Sequence, residues 1–171
     1  MKGIRQKGFN YERYIAEKFS KPFNMEFRRI PLSGGWDKEY ISGDIMCMED
    51  KNFPFSIECK RNEAIDFMPI FKNFEKSAIF SFWKQCEEDA KVCKKENNIP
   101  LLVFAKNYTP DFVMFKEKIC LGNFVISGNE FSRKIWIREG NYEIVLLDEF
   151  LPLLQQLYCK YREEISKGKG K

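Results

Sequence analysis

Residues 53–60 read Phe53-Pro54-Phe55-Ser56-Ile57-Glu58-Cys59-Lys60, and from Phe55 onward apolar and polar side chains alternate with the period of a β-strand. Phe55, Ile57 and Cys59 then share one face, while Ser56, Glu58 and Lys60 share the other, with Glu58 and Lys60 about 7 Å apart along it. A carboxylate and an ammonium group set among apolar residues are costly to bury unless they are paired or put to use. Glu-x-Lys triplets are common and most lie on solvated strand faces.

Residues 41–48 form the strand before it, opening on Ser42-Gly43-Asp44 and continuing through Ile45, Met46, Cys47 and Met48. Glu49-Asp50-Lys51-Asn52 reads as the intervening turn, and residues 26–32 as an earlier strand ending at Ser33-Gly34-Gly35. An acidic residue at the mouth of so apolar a strand is either a turn residue or a ligand. Antiparallel pairing of the two later strands brings Asp44 beside Glu58. Two carboxylates suffice for Mg²⁺, which keeps several waters and is completed by substrate phosphate oxygens.

Ahead of the strands, Asn10 is a candidate N-cap, and Ile15, Ala16 and Phe19 recur at helical spacing for about three turns, with Pro22 beyond the end. Glu12 precedes those three residues by 3, 4 and 7 positions and so lies on the inward stripe, whereas Glu17 does not. Glu12 is therefore either a partly buried partner of Arg13, Arg28 or Arg29, or a third acidic group at one site.

Downstream, Trp83, Cys86, Ala90 and Cys93 form the apolar stripe of a helix over about residues 81–96, which ends at Asn97-Asn98 before Pro100. Residues 101–105 have the continuous apolar character of a strand buried on both faces, with 112–115 as its pairing partner. A loop-rich stretch precedes strands at 134–138 and 143–147, and Asp148 caps a last helix to about residue 164. The order αβββαβ, followed by β elements and a helix, indicates an α/β fold with a central mixed sheet flanked by helices. Residues 67–80, with Phe67, Met68, Ile70, Phe71 and Phe74, are densely apolar without clear period and read as core or a dimer interface.

The length of 171 residues fits one domain, taken as residues 1–166, followed by a flexible basic tail at 167–171. Histidine is absent, which excludes a His-containing triad, a His-metal nuclease site and a Cys₂His₂ finger. The six cysteines have no CxxC pair and read as reduced, mostly buried residues. Three tail lysines, Lys167, Lys169 and Lys171, account for most of the net charge of +4, so overall charge says little about nucleic acid. The tail itself can follow a phosphate backbone as a flexible arm. The N-terminus lacks a signal peptide and no segment is apolar enough to span a bilayer, so a cytosolic protein without a membrane role is expected.

The ordered set Gly8-Phe9-Asn10-Tyr11-Glu12-Arg13, Phe27-Arg28-Arg29 leading to Ser33-Gly34, Gly43-Asp44, and Ile57-Glu58-Cys59-Lys60 resembles the PD-(D/E)xK nuclease superfamily. Within it, the pattern is most similar to archaeal-type Holliday junction resolvases and related phage endonucleases. The resemblance covers residues 3–62, extends to Trp83-Lys84-Gln85 and Pro100-Leu101-Leu102-Val103-Phe104, and stops at Thr109. Gly43 stands where the superfamily name has Pro.

The resemblance implies a restriction-endonuclease-like core in which Asp44 and Glu58 bind Mg²⁺ or Mn²⁺, with Glu12 a further ligand directly or through water. Lys60 would position or deprotonate the attacking water and stabilise charge building on phosphorus. Ser33 would lie beside the metals, and Arg13, Arg28 and Arg29 would contact backbone phosphates unless they form ordinary surface ion pairs. Gln85 resembles a glutamine aimed at the site, with a solvated helix residue as the alternative. The implied activity is metal-dependent DNA endonuclease, in a homodimer cutting Holliday or other branched junctions. Alternatives are a nuclease of the same fold acting on ends, nicks or duplex, and a nucleic-acid-binding module without activity. Keeping Glu12, Asp44, Glu58 and Lys60 together argues against the last.

Overall fold

The computed structural model describes residues 2–31, 41–63, 65–95, 97–131, 134–137 and 141–168. Ser33 and Lys169 to Lys171 lie outside these residues.

The first helix, α1, spans Lys2–Phe23, beginning nine residues earlier than the Asn10 cap would place it. Asn10 is an interior residue whose side chain accepts a hydrogen bond from Gln6 Nε2 at 3.1 Å, one turn away. Pro22 is inside α1, in its last turn, where a missing N–H costs only one helical bond. Asn24 then adopts a left-handed φ of 49°, which ends the helix.

Three strands follow: β1 (Phe27–Arg29), β2 (Ile45–Cys47) and β3 (Phe55–Arg61). They pair antiparallel in sequence, with Phe27 opposite Cys47 and Ile45 opposite Ile57. A short helix α2 (Met68–Lys72) and a single 3₁₀ turn (Phe74–Lys76) lead into α3 (Ala78–Val92). Ser77 caps α3 by accepting the Phe80 amide at 3.0 Å, so this helix starts and ends a few residues before the positions read from its apolar stripe.

The chain returns as β4 (Ile99–Ala105), which lies parallel to β3 with Glu58 opposite Leu102 and Lys60 opposite Phe104. Next come β5 (Phe112–Lys116), the hairpin β6 (Lys118–Leu121) and β7 (Phe124–Ser127), β8 (Lys134–Ile137), β9 (Tyr142–Leu146) and α4 (Leu147–Gly168). Seven strands make one mixed sheet in the order β1-β2-β3-β4-β5-β9-β8, and β6 and β7 form a separate ribbon. The stretch read as loop-rich thus contains a hairpin, closed at Gly122-Asn123 with Gly122 at a φ of 59°. Asp148 is in the first turn of α4 rather than at its cap. Lys167 and Gly168 continue that helix.

Strand alternation divides the core between the two faces of the sheet. Ile57, Cys59, Leu101, Val103, Val113 and Val145 pack with α1 and α4, whereas Leu102, Phe104, Met114 and Ile144 pack with α3 and the segment before it. Within residues 67–80, Ile70, Phe74 and Ile79 are core, and Met68 and Phe71 are exposed. Cys47, Cys59, Cys86 and Cys93 are buried free thiols, and Cys120 and Cys159 are exposed. Among the described residues no helix is long and apolar enough to cross a membrane.

Candidate active site

Backbone hydrogen bonds on both sides fix the position of Asp44. Its N–H donates to Ile57 O at 2.7 Å and its carbonyl accepts the Ile30 amide at 2.8 Å, so the residue is stitched between β1 and β3. Gly43 makes that close approach possible. It has a φ of +80°, and a Cβ there would lie 2.5 Å from Ile57 O. Proline, locked near −65°, cannot adopt this backbone, which accounts for glycine at this position in this chain.

The Asp44 carboxylate reaches across to β3, where Oδ2 accepts the Cys59 amide at 2.8 Å. On β3 the neighbouring residues, Glu58 and Lys60, join directly: Lys60 Nζ donates to Glu58 Oε1 at 2.5 Å. Both lie on the α3 side of the sheet, as their register with Leu102 and Phe104 requires. Glu58 is buried and Lys60 is partly exposed, with Phe82 of α3 beneath the ammonium at 5.9 Å from its ring centre. The alternation read along 55–60 is therefore the observed one, and the pair is not on a solvated face.

From α1, Glu12 accepts a short charge-assisted hydrogen bond from Arg29 Nε, and both side chains are mostly shielded. The Arg29 guanidinium also lies 3.7 Å from the centre of the Phe9 ring. Of the three partners open to Glu12 in the sequence, Arg29 is the one used. Arg28, pointing away on the alternating strand, pairs instead with Glu26 at 2.7 Å on the surface. Arg13 is exposed on α1. Gln85 is exposed on α3, one turn from Phe82 and from Asp89, whose charge reaches Glu58.

The electrostatics tie these groups into one cluster. Burial raises the Asp44 carboxyl to about 6, with the Cys59 hydrogen bond opposing and the Glu12 charge reinforcing the rise. Burial raises Glu58 to about 7, the Asp44 charge adding to it and Lys60 opposing it. For Lys60, burial alone would lower the ammonium pKa, but the Glu58 hydrogen bond and the Glu58 and Asp44 charges outweigh it and the net shift is upward. Two carboxylates are thus held together with more negative charge than their protein partners neutralise.

A family model described as "Phage putative PDDEXK endonuclease" matches residues 3–156. The chain belongs to this phage PD-(D/E)xK endonuclease family. The match runs from the start of α1 through β9 into α4, so residues 109–147, where the sequence resemblance stopped, are within the family's extent. No curated protein and no solved structure shows a significant match.

The donor set suits a hard divalent cation, which takes carboxylate oxygens and completes its shell with water and phosphate. Asp44 and Glu58 each use one oxygen toward the protein, and the second makes no hydrogen bond with another described residue. Among the described residues no three acidic or thiol side chains form a ready-made metal cage. A cation here would therefore rest on two carboxylates and draw its remaining ligands from solvent and substrate.

Proposed function

We propose that this endonuclease-family protein hydrolyses DNA phosphodiester bonds with Mg²⁺ or Mn²⁺ held by Asp44 and Glu58, and that its substrate is branched DNA. The observation that carries the reading is the pair of under-neutralised carboxylates on adjacent strands with Lys60 bonded to one of them. Structural ion pairs are normally neutralised within the protein; an excess of negative charge on Asp44 and Glu58 calls for a cation.

When bound, the metal supplies a lowered water pKa and neutralises charge on the phosphate. The protein's own groups divide the remaining work. Asp44 and Glu58 hold their oxygens at fixed separation through the Cys59 amide and the Lys60 ammonium. Lys60 orients the attacking water and stabilises charge developing on phosphorus, a role for which a raised pKa keeps it cationic. Glu12, tethered by Arg29, takes up a water-mediated position beside Asp44. Arg13 is the candidate phosphate contact, Arg28 and Arg29 being partnered by Glu26 and Glu12, while Gln85 is assigned to the rim of the site. The exposure of Met68 and Phe71 supports a symmetric dimer through α2, which sedimentation of wild type and Phe71→Glu would test.

The activity is tested by incubating the full chain with labelled four-way junction, flap and linear duplex in Mg²⁺, Mn²⁺ or EDTA. Metal-dependent incision with the junction preferred supports the proposal. Equal cutting of linear duplex overturns the branched-DNA assignment, and absence of incision on every substrate overturns the nuclease assignment.

A further inference from the structure

Tyr108 stands at the tip of the turn between β4 and β5 with its side chain fully exposed, at 103% of its reference area, and with a φ of +61°. Each feature works against folding. A bulky L-residue in the left-handed region is strained where glycine would be relaxed, and an aromatic ring left in water gains nothing from burial.

The surrounding turn nevertheless enforces the geometry. The Thr109 amide donates to Lys106 O at 3.2 Å, the Thr109 hydroxyl donates to the same oxygen at 2.9 Å, and that hydroxyl oxygen accepts the Lys106 amide at 3.0 Å. The turn is also fastened to the end of β3, on the α1 face of the sheet. Arg61, the residue after Lys60, donates from Nε to Asn107 Oδ1 at 3.2 Å, and its guanidinium lies 5.5 Å from the Tyr11 ring centre. Arg61 faces Ala105 across the parallel β3–β4 pair. With strands about 4.8 Å apart and three residues from Ala105 to Tyr108 spanning at most about 11 Å, the Tyr108 backbone lies within roughly 20 Å of Lys60.

We infer that Tyr108 stacks on a DNA base that lacks a stacking neighbour, such as one at a branch point or in a single-stranded gap, while Arg61 meets an adjacent phosphate. The inference rests on the nuclease reading and specifies what part of its substrate this loop recognises. A lone ring is far too small for a stable protein partner, which requires about 800 Å² from each side. It matches one base face, and the neighbouring cation supplies the charge complementarity that a phosphate backbone demands.

The test compares wild type, Tyr108→Gly and Tyr108→Trp as full chains, binding a four-way junction, a gapped duplex and an intact duplex in EDTA, with 2-aminopurine placed at the branch or in the gap. Tyr108→Gly should weaken binding to junction and gapped DNA about tenfold, the size that one base–aromatic stack carries, and leave intact-duplex binding nearly unchanged. Its melting temperature should equal or exceed that of wild type, because glycine relaxes the turn. Tyr108→Trp should retain both binding and the change in 2-aminopurine fluorescence that Tyr108→Gly loses. Metal-dependent cutting by wild type, with Tyr108→Gly binding gapped and branched DNA equally well and giving the same fluorescence change, overturns the inference alone. A wild type that neither binds nor cuts DNA overturns the nuclease reading and the inference together.

Discussion

Asp44 Oδ2 accepts the backbone amide of Cys59 at 2.8 Å, so a carboxylate launched from the mouth of β2 is fastened between Glu58 and Lys60 on β3. The bond uses main chain rather than another charge, and it leaves the Lys60 ammonium to Glu58. Three ionisable groups are thereby held in one small volume with a net negative charge, and the cost of that arrangement is visible in the raised carboxyl pKa values.

That cost sets a pH dependence for the metal-free protein. The folded values of about 6 for Asp44 and about 7 for Glu58 exceed the unfolded values of roughly 4, so between those limits the folded state binds more protons than the unfolded state. The pair's contribution is therefore most favourable below about pH 4 and is lost as pH rises to about 7. Thermal unfolding in EDTA should show wild type losing stability relative to the Asp44→Asn, Glu58→Gln double variant across this window. Addition of Mg²⁺ or Mn²⁺ at pH 8 should recover stability in wild type alone. A difference between the two proteins that does not change with pH would contradict the assigned shifts.

Lys60 should matter to the reaction more than to folding. Lys60→Met removes the donor to Glu58 at a partly exposed position, and cleavage should fall by about 10²–10³-fold, as for loss of one transition-state donor. Calorimetric binding of Mn²⁺ should persist. Loss of metal binding in parallel with activity would assign Lys60 a structural role.

Gly43 should tolerate no replacement. Gly43→Ala puts a methyl group 2.5 Å from Ile57 O at a φ of +80°, and Gly43→Pro cannot reach that φ at all. Denaturant unfolding should show Gly43→Ala destabilised by at least about 2 kcal/mol and Gly43→Pro more strongly. Proline accepted without loss would mean that the turn into β2 is misdescribed.

Asp111 should anchor α1. Its carboxylate accepts Tyr11 Oη at 3.0 Å, Tyr14 Oη at 3.1 Å and Lys18 Nζ at 2.9 Å, three donors from the helix that carries Glu12. Asp111→Ala strands the buried Tyr11 hydroxyl and should cost about 1–3 kcal/mol in denaturant unfolding. An unchanged midpoint would show that the apolar stripe of α1 suffices to dock it.

Much of this was legible in the sequence because the decisive signals are local. Alternation along 55–60 separates Glu58 and Lys60 from Ile57 and Cys59, and the stripe of Ile15, Ala16 and Phe19 turns Glu12 inward. Other features depend on distant partners. The first eight residues of α1 carry few apolar side chains, so no period announces a helix there, and Asn10 imitates a cap. The Gly122-Asn123 turn was a hairpin signal that the weak strands beside it obscured. Arg29 could not be chosen over Arg13 or Arg28 from spacing, because the choice follows from which face of β1 meets α1. The role of Asp111 depends on donors 93 to 100 residues away.

The most direct measurement is single-turnover cleavage of a labelled four-way junction by wild type, Asp44→Asn and Glu58→Gln in Mg²⁺, with junction binding followed alongside. Wild type should cut and both variants should lose cleavage by at least about 10³-fold, while binding DNA as tightly as wild type or more so because negative charge facing the phosphates is removed. Either variant cutting at near the wild-type rate would contradict the assignment of Asp44 and Glu58 as the centre of the site.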